Sequence, residues 1–181
     1  MPSPLAHAGA AFGLRLLFSA PGARVLDRVV LAAAFASVAP DLDLVGGLGW
    51  HRGPSHSLVG ATCIGALIAA LARLRGADAL VVVLACVAHV PMDWSTGDPG
   101  APSRYGVPWA WPFDPAKHIA ARPWFGAFHI DEPGFLAHMV HPRAVAVYAK
   151  EAATAAAFVG AAAAVRLFRE RALPRIRARA P

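Results

Sequence analysis

The sequence predicts an all-α integral membrane protein, a bundle of about four to five apolar helices with a long loop region rich in Trp and Pro. Hydrophobic residues make up 57% of the chain, charged residues only 15%, and the mean hydropathy is +0.48. These values are too apolar for an ordinary soluble domain and are typical of a protein in a bilayer. At 181 residues the chain has the length of one domain.

Five apolar runs are prone to form helices, at residues 5–20, 29–39, 57–72, 79–92 and 152–165. Proline or charged residues end them, as Pro40 does after the second run. Each run is shorter than the roughly 20 residues that a helix needs to cross a bilayer. We therefore expect several helices to extend into the polar residues beside them.

The second half of the chain has a different composition. Residues 94–150 are rich in Pro, Trp and Gly without a sustained helical period, and four tryptophans fit an interfacial segment or, alternatively, a packed loop region: Trp94, Trp109, Trp111 and Trp124. Residues 151–181 comprise the last helix and an Arg-rich tail. We interpret this tail as a cytoplasmic flank near anionic lipid and do not expect nucleic acid as a partner.

Two features bear on processing and redox chemistry. Cys63 and Cys86 both lie inside apolar runs, so we expect buried small side chains rather than a disulfide or a thiolate metal site. The N-terminus lacks the basic start and the small-residue cleavage site of a removable signal peptide, so we expect it to remain in the mature protein.

A polar, Gly-rich break separates the second and third apolar runs, between Pro40 and Leu58. It contains two aspartates and two histidines, with an arginine and serines among them: Asp41, Asp43, His51, Arg52, Ser55, His56 and Ser57. This is the composition of a metal-binding loop. A solvated turn between two helices has a similar composition, because Asp, Gly, Pro and Ser favour turns for backbone reasons.

Other helix ends carry the same residue types. His7 begins the first run, and His89 and Asp93 lie four residues apart on one helical face at the end of the fourth. Basic residues occupy the alternate helix ends, at Arg24 and Arg28, Arg73 and Arg75, and the C-terminal tail. All the candidate ligands should therefore gather at one end of the bundle, and the positive-inside rule predicts that this end is extracytoplasmic.

Seven candidate metal ligands result from this arrangement: His7, Asp41, Asp43, His51, His56, His89 and Asp93. Imidazoles and carboxylates without thiolates suit Zn²⁺, Mn²⁺ or Fe²⁺ held for hydrolysis, whereas structural zinc sites favour Cys. Seven donors exceed the needs of one tetrahedral ion, so we expect two divalent ions, Zn²⁺ first among the candidates, with Asp41 as the bridging carboxylate. Residues 1–93 are then the metal-site helices of a single domain spanning 1–181.

The residues expected to act in catalysis are Asp41, His56 and Arg52. Arg52 either binds an anionic, phosphoryl-type group or pairs with Asp41 or Asp43. We expect Ser55 and Ser57 to cap the following helix rather than to attack a substrate. Four more histidines lie in the loop region, and we expect at most one of them to complete the site or to donate a proton: His118, His129, His138 and His141.

Together these residues resemble the YdjM-like family of inner-membrane metal-dependent hydrolases over roughly residues 1–115. The matching elements are His7 with Gly9 and Gly13, Pro40-Asp41-x-Asp43, His51-Arg52-Gly53-x-x-His56-Ser57, and His89-x-x-x-Asp93 with Gly97. The resemblance implies a small multi-helix protein of the bacterial inner membrane with metal-dependent hydrolase activity. The order of residues is also similar to the first part of the zinc-dependent phospholipase C and single-strand nuclease superfamily, which implies phosphodiester hydrolysis. A second His-x-x-x-Asp is missing downstream, which favours two metals over three.

The expected function is therefore a membrane-bound hydrolase that cleaves a phosphoester or related ester at a dinuclear metal centre. Its expected partners are membrane lipid and a small-molecule or lipid-derived anionic substrate, and the sequence does not determine the oligomeric state. Two alternatives remain from the residues alone. One is a metal-ion or proton transporter, because intramembrane His and Asp also mark ion paths. The other is a non-catalytic scaffold that metal stabilises.

Overall fold

A computed structural model describes residues 3–46, 51–126 and 142–177. The described part is helical and has no β-strand beyond two isolated bridges, which confirms the all-α prediction. The helices are α1 (Pro4–Phe18), α2 (Arg28–Val38), α3 (Leu58–Leu71), α4 (Gly76–Trp94), the short α5 (Pro102–Tyr105) and α6 (Pro142–Arg177). Two 3₁₀ helices, Ala39–Gly46 and Pro54–His56, follow α2 and precede α3.

Three described stretches are long and apolar enough to cross a membrane: Arg28–Gly46, Gly76–Trp94 and Ala144–Ala172. The first reaches 19 residues because α2 continues into the 3₁₀ helix. The apolar helix α3 is shorter, with 14 residues. As expected from the short apolar runs, these helices gain length from flanking polar residues, among them the candidate ligands at their ends.

Helix α4 lies at the centre of the bundle and packs against α1, α2 and α3. Its buried side chains include Val81, Val82 and Cys86, which meet small residues such as Ala33 of α2 and Ala61 of α3. Small residues let the helix backbones approach closely, which is how helices associate in lipid.

The prediction for the cysteines is half wrong. Cys86 is buried against α3, but Cys63 is exposed on the outer face of that helix. In a membrane protein an apolar run continues around the whole helix, because the outer face contacts lipid rather than water. The run therefore did not reveal which of the two thiols is inside.

Helices α1 and α6 pack through Gly9 and Gly13, a pair spaced as in the Gly-x-x-x-Gly motif. A Cβ atom added at Gly9 would lie 2.7 Å from the Cβ of Ala155, and one added at Gly13 would overlap the ring of Phe158. Only glycine permits this approach of the two helices.

Helix α6 is much longer than expected. The predicted helix covered residues 152–165 with loop up to residue 150, whereas α6 begins at Pro142 and ends at Arg177. Glu151 does not end the helix, because its carboxylate is buried and accepts a hydrogen bond of 2.9 Å from the backbone N–H of Ser3. Most of the Arg-rich segment is also helical. Within it, Arg166 contacts Glu170 on its own helix and Ser19 and Ala23 near the α1–α2 turn.

A second charged cluster fixes the end of the bundle where α1 ends and α2 and α4 begin. The buried guanidinium of Arg15 lies 2.5 Å from Asp27 and 3.0 Å from Asp78. Asp27 also caps α2 by accepting from the backbone N–H groups of Val29 and Val30. Partial burial opposes ionisation of Asp27, but these hydrogen bonds outweigh it and hold its pKa below the usual value. Charged pairing thus joins three helices at this end.

We expect Gly9→Leu to destabilise the protein by about 1–3 kcal/mol, because the larger side chain forces α1 away from α6. The matched control is Gly160→Leu on α6, where an added Cβ meets no atom within 4 Å. Thermal unfolding in detergent should show a lower Tm for Gly9→Leu and a nearly unchanged one for Gly160→Leu. Equal Tm values for the two variants would contradict the proposed close packing.

Candidate metal centre

The predicted ligands converge at the end of the bundle opposite Arg15. The antiparallel helices bring them there from four places: His7 from the start of α1, Asp41 and Asp43 from the 3₁₀ helix after α2, His51 and His56 from the turn before α3, and His89 and Asp93 from the end of α4. Two groups of these side chains have donor atoms within 4.8 Å of one another.

The first group consists of Asp41, His56, His89 and Asp93. The Nε2 atom of His56 lies 3.4 Å from Asp41 Oδ1 and 3.4 Å from Asp93 Oδ2. The Nε2 atom of His89 lies 3.5 Å and 3.7 Å from the same two oxygens. Both histidines and Asp93 are fully buried. Two imidazoles and two carboxylates of this kind suit the coordination of a divalent transition metal.

A backbone contact orients His89. Its Nδ1 lies 2.8 Å from the carbonyl oxygen of Ser37, so Nδ1–H donates to that oxygen and Nε2 keeps its lone pair for the first group. Ser37 was not among the predicted residues. Its contribution is a main-chain atom, and no side-chain pattern in the sequence indicates such a contact.

The second group consists of Asp43, His51 and His56 and is less buried. The Nδ1 atom of His51 lies 2.8 Å from Asp43 Oδ1, and Nδ1 of His56 lies 3.1 Å from Asp43 Oδ2. His56 therefore directs one ring nitrogen to each group. A neutral imidazole has one free lone pair, so it serves one ion at a time, and Asp43 with His51 remains available to a second.

His7 lies beside the first group. Its ring stacks on His89 with centroids 4.1 Å apart, and its Nε2 is 4.0 Å from Asp93 Oδ1. The side chain is fully buried, not a solvated N-terminal residue, and neither ring nitrogen has a partner among the described residues. His7 thus borders the first group without belonging to it.

Arg52 pairs with Asp93, not with Asp41 or Asp43 as one of the two expectations had it. Its Nε lies 3.3 Å from Asp93 Oδ2, and the side chain is 3% exposed. Both terminal nitrogens, Nη1 and Nη2, are buried and lack partners in the described part of the chain. The residue has a φ of 56°, a left-handed conformation that is unfavourable for Arg and tends to occur at functional sites.

The two serines have different roles. Ser57 caps α3 as predicted, since its hydroxyl accepts from the N–H of Gly60 at 2.9 Å. Ser55 does not cap the helix. Its hydroxyl donates to Asp43 Oδ2 at 2.6 Å and lies 3.0 Å from Nδ1 of His56. It therefore orients the carboxylate of the second group.

Of the four loop histidines, His118 is described and lies outside both groups, with its Nε2 2.9 Å from Asp114 Oδ2. His129, His138 and His141 lie outside the described residues.

Lys117, the residue before His118, was not among the residues predicted from the sequence. Its side chain is half-buried and close enough to Arg52 and Asp43 to interact with both electrostatically. The pKa of Lys117 is lowered, mainly by burial and then by the positive charge of Arg52. A lone lysine in a Pro-rich segment gives no signal of this position.

The electrostatics of His56 reflect its place between the two groups. Burial disfavours its charged form, but hydrogen bonds to Asp41 and Asp43 and the charge of Asp93 outweigh burial and raise the pKa of His56 to about 9. Without a metal, His56 is therefore protonated at neutral pH. A metal ion would have to displace this proton.

The unpaired atoms provide a test of whether a metal fits. Within the described residues, buried polar atoms without a hydrogen-bond partner concentrate here: both ring nitrogens of His7, Oδ2 of Asp41, Nη1 and Nη2 of Arg52, Nε2 of His89 and both oxygens of Asp93. Buried polar atoms in proteins are almost always satisfied. Lone pairs on imidazole and carboxylate directed into one small space are what a divalent cation requires, so the residues fit the predicted metal.

We expect binding of the first Zn²⁺ ion to release about one proton at pH 7, from His56, and to weaken as the pH falls below the pKa of His56. Since this pKa is raised, protonated His56 stabilises the metal-free protein fully below about pH 6.5, and that contribution disappears as the pH rises through about 9. Calorimetric titration in buffers of different ionisation enthalpy counts the protons. His118→Ala, outside both groups, is the control, and tighter binding at pH 6 than at pH 8 would contradict the assignment.

Comparison with known proteins gives one family. Searches among curated proteins and among solved structures found no match to this chain. The family described as YdjM inner membrane protein matches residues 1–173, which extends well beyond the roughly 115 residues over which the motifs showed the resemblance. Because the match covers nearly all of the sequence and includes every candidate ligand, the chain belongs to the YdjM family of inner membrane proteins.

Proposed function

We propose that this protein is a membrane-bound, metal-dependent hydrolase that cleaves a phosphoester or related ester. The observation that carries the proposal is the buried group of Asp41, His56, His89 and Asp93, with the unpaired end of Arg52 beside it. Metal ligands next to a buried, unpaired guanidinium combine the two requirements of phosphoester hydrolysis, a site for cations and a site for the anionic substrate.

The first group would hold one divalent ion, and Asp43 with His51 a second, with Zn²⁺ as the first candidate and Mn²⁺ or Fe²⁺ as alternatives. When bound, such ions supply a nucleophile from water at neutral pH and stabilise negative charge on a substrate oxygen. The Oδ2 atom of Asp41 is buried and has no partner in the described residues, so this oxygen would be free to hold an ion, and the bridging role of Asp41 stays a prediction.

The side chains of this chain would bind and orient the substrate. Arg52 is anchored through Nε to Asp93, so its two free nitrogens can donate to two oxygens of a phosphoryl group in the bidentate geometry that guanidinium favours. In the net reaction, the hydroxyl of one water joins phosphorus, the ester P–O bond breaks, and the departing oxygen takes the remaining proton of that water.

The site would face the extracytoplasmic side of the inner membrane. Arginines at the other end of the bundle support this orientation: Arg24 and Arg28 at the start of α2, and Arg73 and Arg75 between α3 and α4. Arginines near helix ends favour the cytoplasmic side.

We expect Asp41→Ala and His89→Ala to lower the metal content of the purified protein and to reduce hydrolysis by about 100-fold or more. The protein is stripped of metal, loaded with Zn²⁺, Mn²⁺ or Fe²⁺, measured by elemental analysis and assayed with p-nitrophenyl phosphate and bis-p-nitrophenyl phosphate. Asp98→Ala is the matched control, since Asp98 is exposed and lies outside both groups.

Two results would reject the hydrolase. If the wild-type protein bound none of the three metals, the proposed metal centre itself would be rejected. A protein that binds metal and gains thermal stability, yet hydrolyses neither ester with any metal, would instead be the metal-stabilised scaffold.

Arg52→Gln should raise KM for p-nitrophenyl phosphate by about tenfold or more and leave the metal content intact, because a charged hydrogen bond to the substrate is lost. Arg122→Gln is the control, since Arg122 is exposed. Loss of metal without a change in KM would show that Arg52 only balances the charge of Asp93.

A further inference from the structure

An apolar groove of about 690 Å³ lies on α4, and it has no role in the metal centre. Leu84, Val87 and Ala88 of α4 form its floor, and Leu14 of α1 and Leu58 of α3 lie on its two sides. Its end nearest the site is bordered by Trp94, Trp109, His118 and Ile119. The groove follows α4, a stretch long and apolar enough to cross the membrane.

The groove lining and the two groups of candidate ligands have no residue in common, but they are neighbours along the chain at the start of α3. On α4 the groove residues and the His89–Asp93 pair occupy different faces, so the helix itself separates the two. The start of α3 and the loop over residues 106–119 connect them instead. Leu58 of the groove follows His56 by two residues, and its N–H donates to the carbonyl of Trp109 at 3.0 Å.

The same loop carries a cation, Lys117. His118 borders the groove, and its backbone pairs with Val107 in both directions, at 2.9 Å and 3.0 Å, which fixes this part of the loop. The adjacent Lys117 is half-buried and interacts electrostatically with Arg52 and Asp43. Lys117, next in sequence to a residue of the groove, is thus within electrostatic range of Arg52, which is paired with Asp93 at the centre.

We infer that the substrate is a lipid phosphoester, whose phosphate contacts Arg52 and Lys117 and whose acyl chain lies in the groove along α4. This inference rests on the proposed hydrolase function and specifies its substrate. Charge complementarity places the phosphate at the two cations, and the apolar lining places the chain. A soluble phosphoester would use the cations only and would leave the groove without a role.

The experiment measures lipid binding without relying on turnover. The full-length protein is placed in phosphatidylcholine nanodiscs containing increasing fractions of phosphatidic acid with brominated chains, which quench Trp94 and Trp109 at the groove. We expect half-maximal quenching at a roughly tenfold lower fraction than with brominated phosphatidylcholine, the advantage of about one charged contact. Ala88→Phe, which fills the groove, and Lys117→Ala should each abolish most of this preference.

Matched controls exist for both variants. Ala70→Phe adds the same side chain on the exposed face of α3, and Lys150→Ala removes the other lysine of the chain, which stacks on Trp124. Both should retain the wild-type preference for phosphatidic acid. Equal quenching by the two lipids, or an unchanged preference in Ala88→Phe, would overturn the inference.

The outcome also separates the inference from the function on which it rests. If metal-loaded protein hydrolyses p-nitrophenyl phosphate but shows no preference for phosphatidic acid, the hydrolase stands and the lipid substrate is rejected. If it prefers phosphatidic acid but releases phosphate from neither compound, the groove binds lipid but is not a substrate site, and the hydrolase falls. The third outcome supports both proposals. In it the protein releases phosphate from phosphatidic acid, and Ala88→Phe slows this reaction more than it slows the hydrolysis of p-nitrophenyl phosphate.

Discussion

The carboxylate of Asp93 is fully buried at the end of a membrane-length helix, where an isolated negative charge would be very unfavourable. Arg52 and His56 approach one of its oxygens, and His7 lies beside the other. These partners come from α1 and from the turn before α3. Lipid cannot solvate the charge of Asp93, so these partners must compensate it. The elements that carry them are therefore held at this end of the bundle.

The second charged cluster, around Arg15, completes the arrangement. It joins the end of α1 to the beginnings of α2 and α4, while the candidate ligands occupy the opposite ends of the same helices. Between the two clusters the helices meet through small and aliphatic side chains that specify no particular rotation or depth. The polar ends supply that specificity, because sliding one helix by a turn would break pairs at both ends at once.

Much of this was predictable because it depends on order along the chain. The breaks between apolar runs show which helix ends meet, and the four-residue spacing of His89 and Asp93 shows that they share a face. Distances between elements were not predictable. Proximity along the chain suggested Asp41 or Asp43 as the carboxylate partner of Arg52, and no pattern in the sequence pointed to Asp93 in that role, to Lys117 or to the Ser37 carbonyl. The extent of α6 was missed because Glu151 resembles the end of an apolar run, although its burial against Ser3 continues the helix.

Glu151 also bears on what a truncated chain would retain. The candidate ligands all precede α6, yet the helix that carries His7 also packs against α6, through the Glu151 contact to Ser3 and the close approach at Gly9. A chain cut before α6 would therefore contain all seven ligands, with α1 held by α2 and α4 alone.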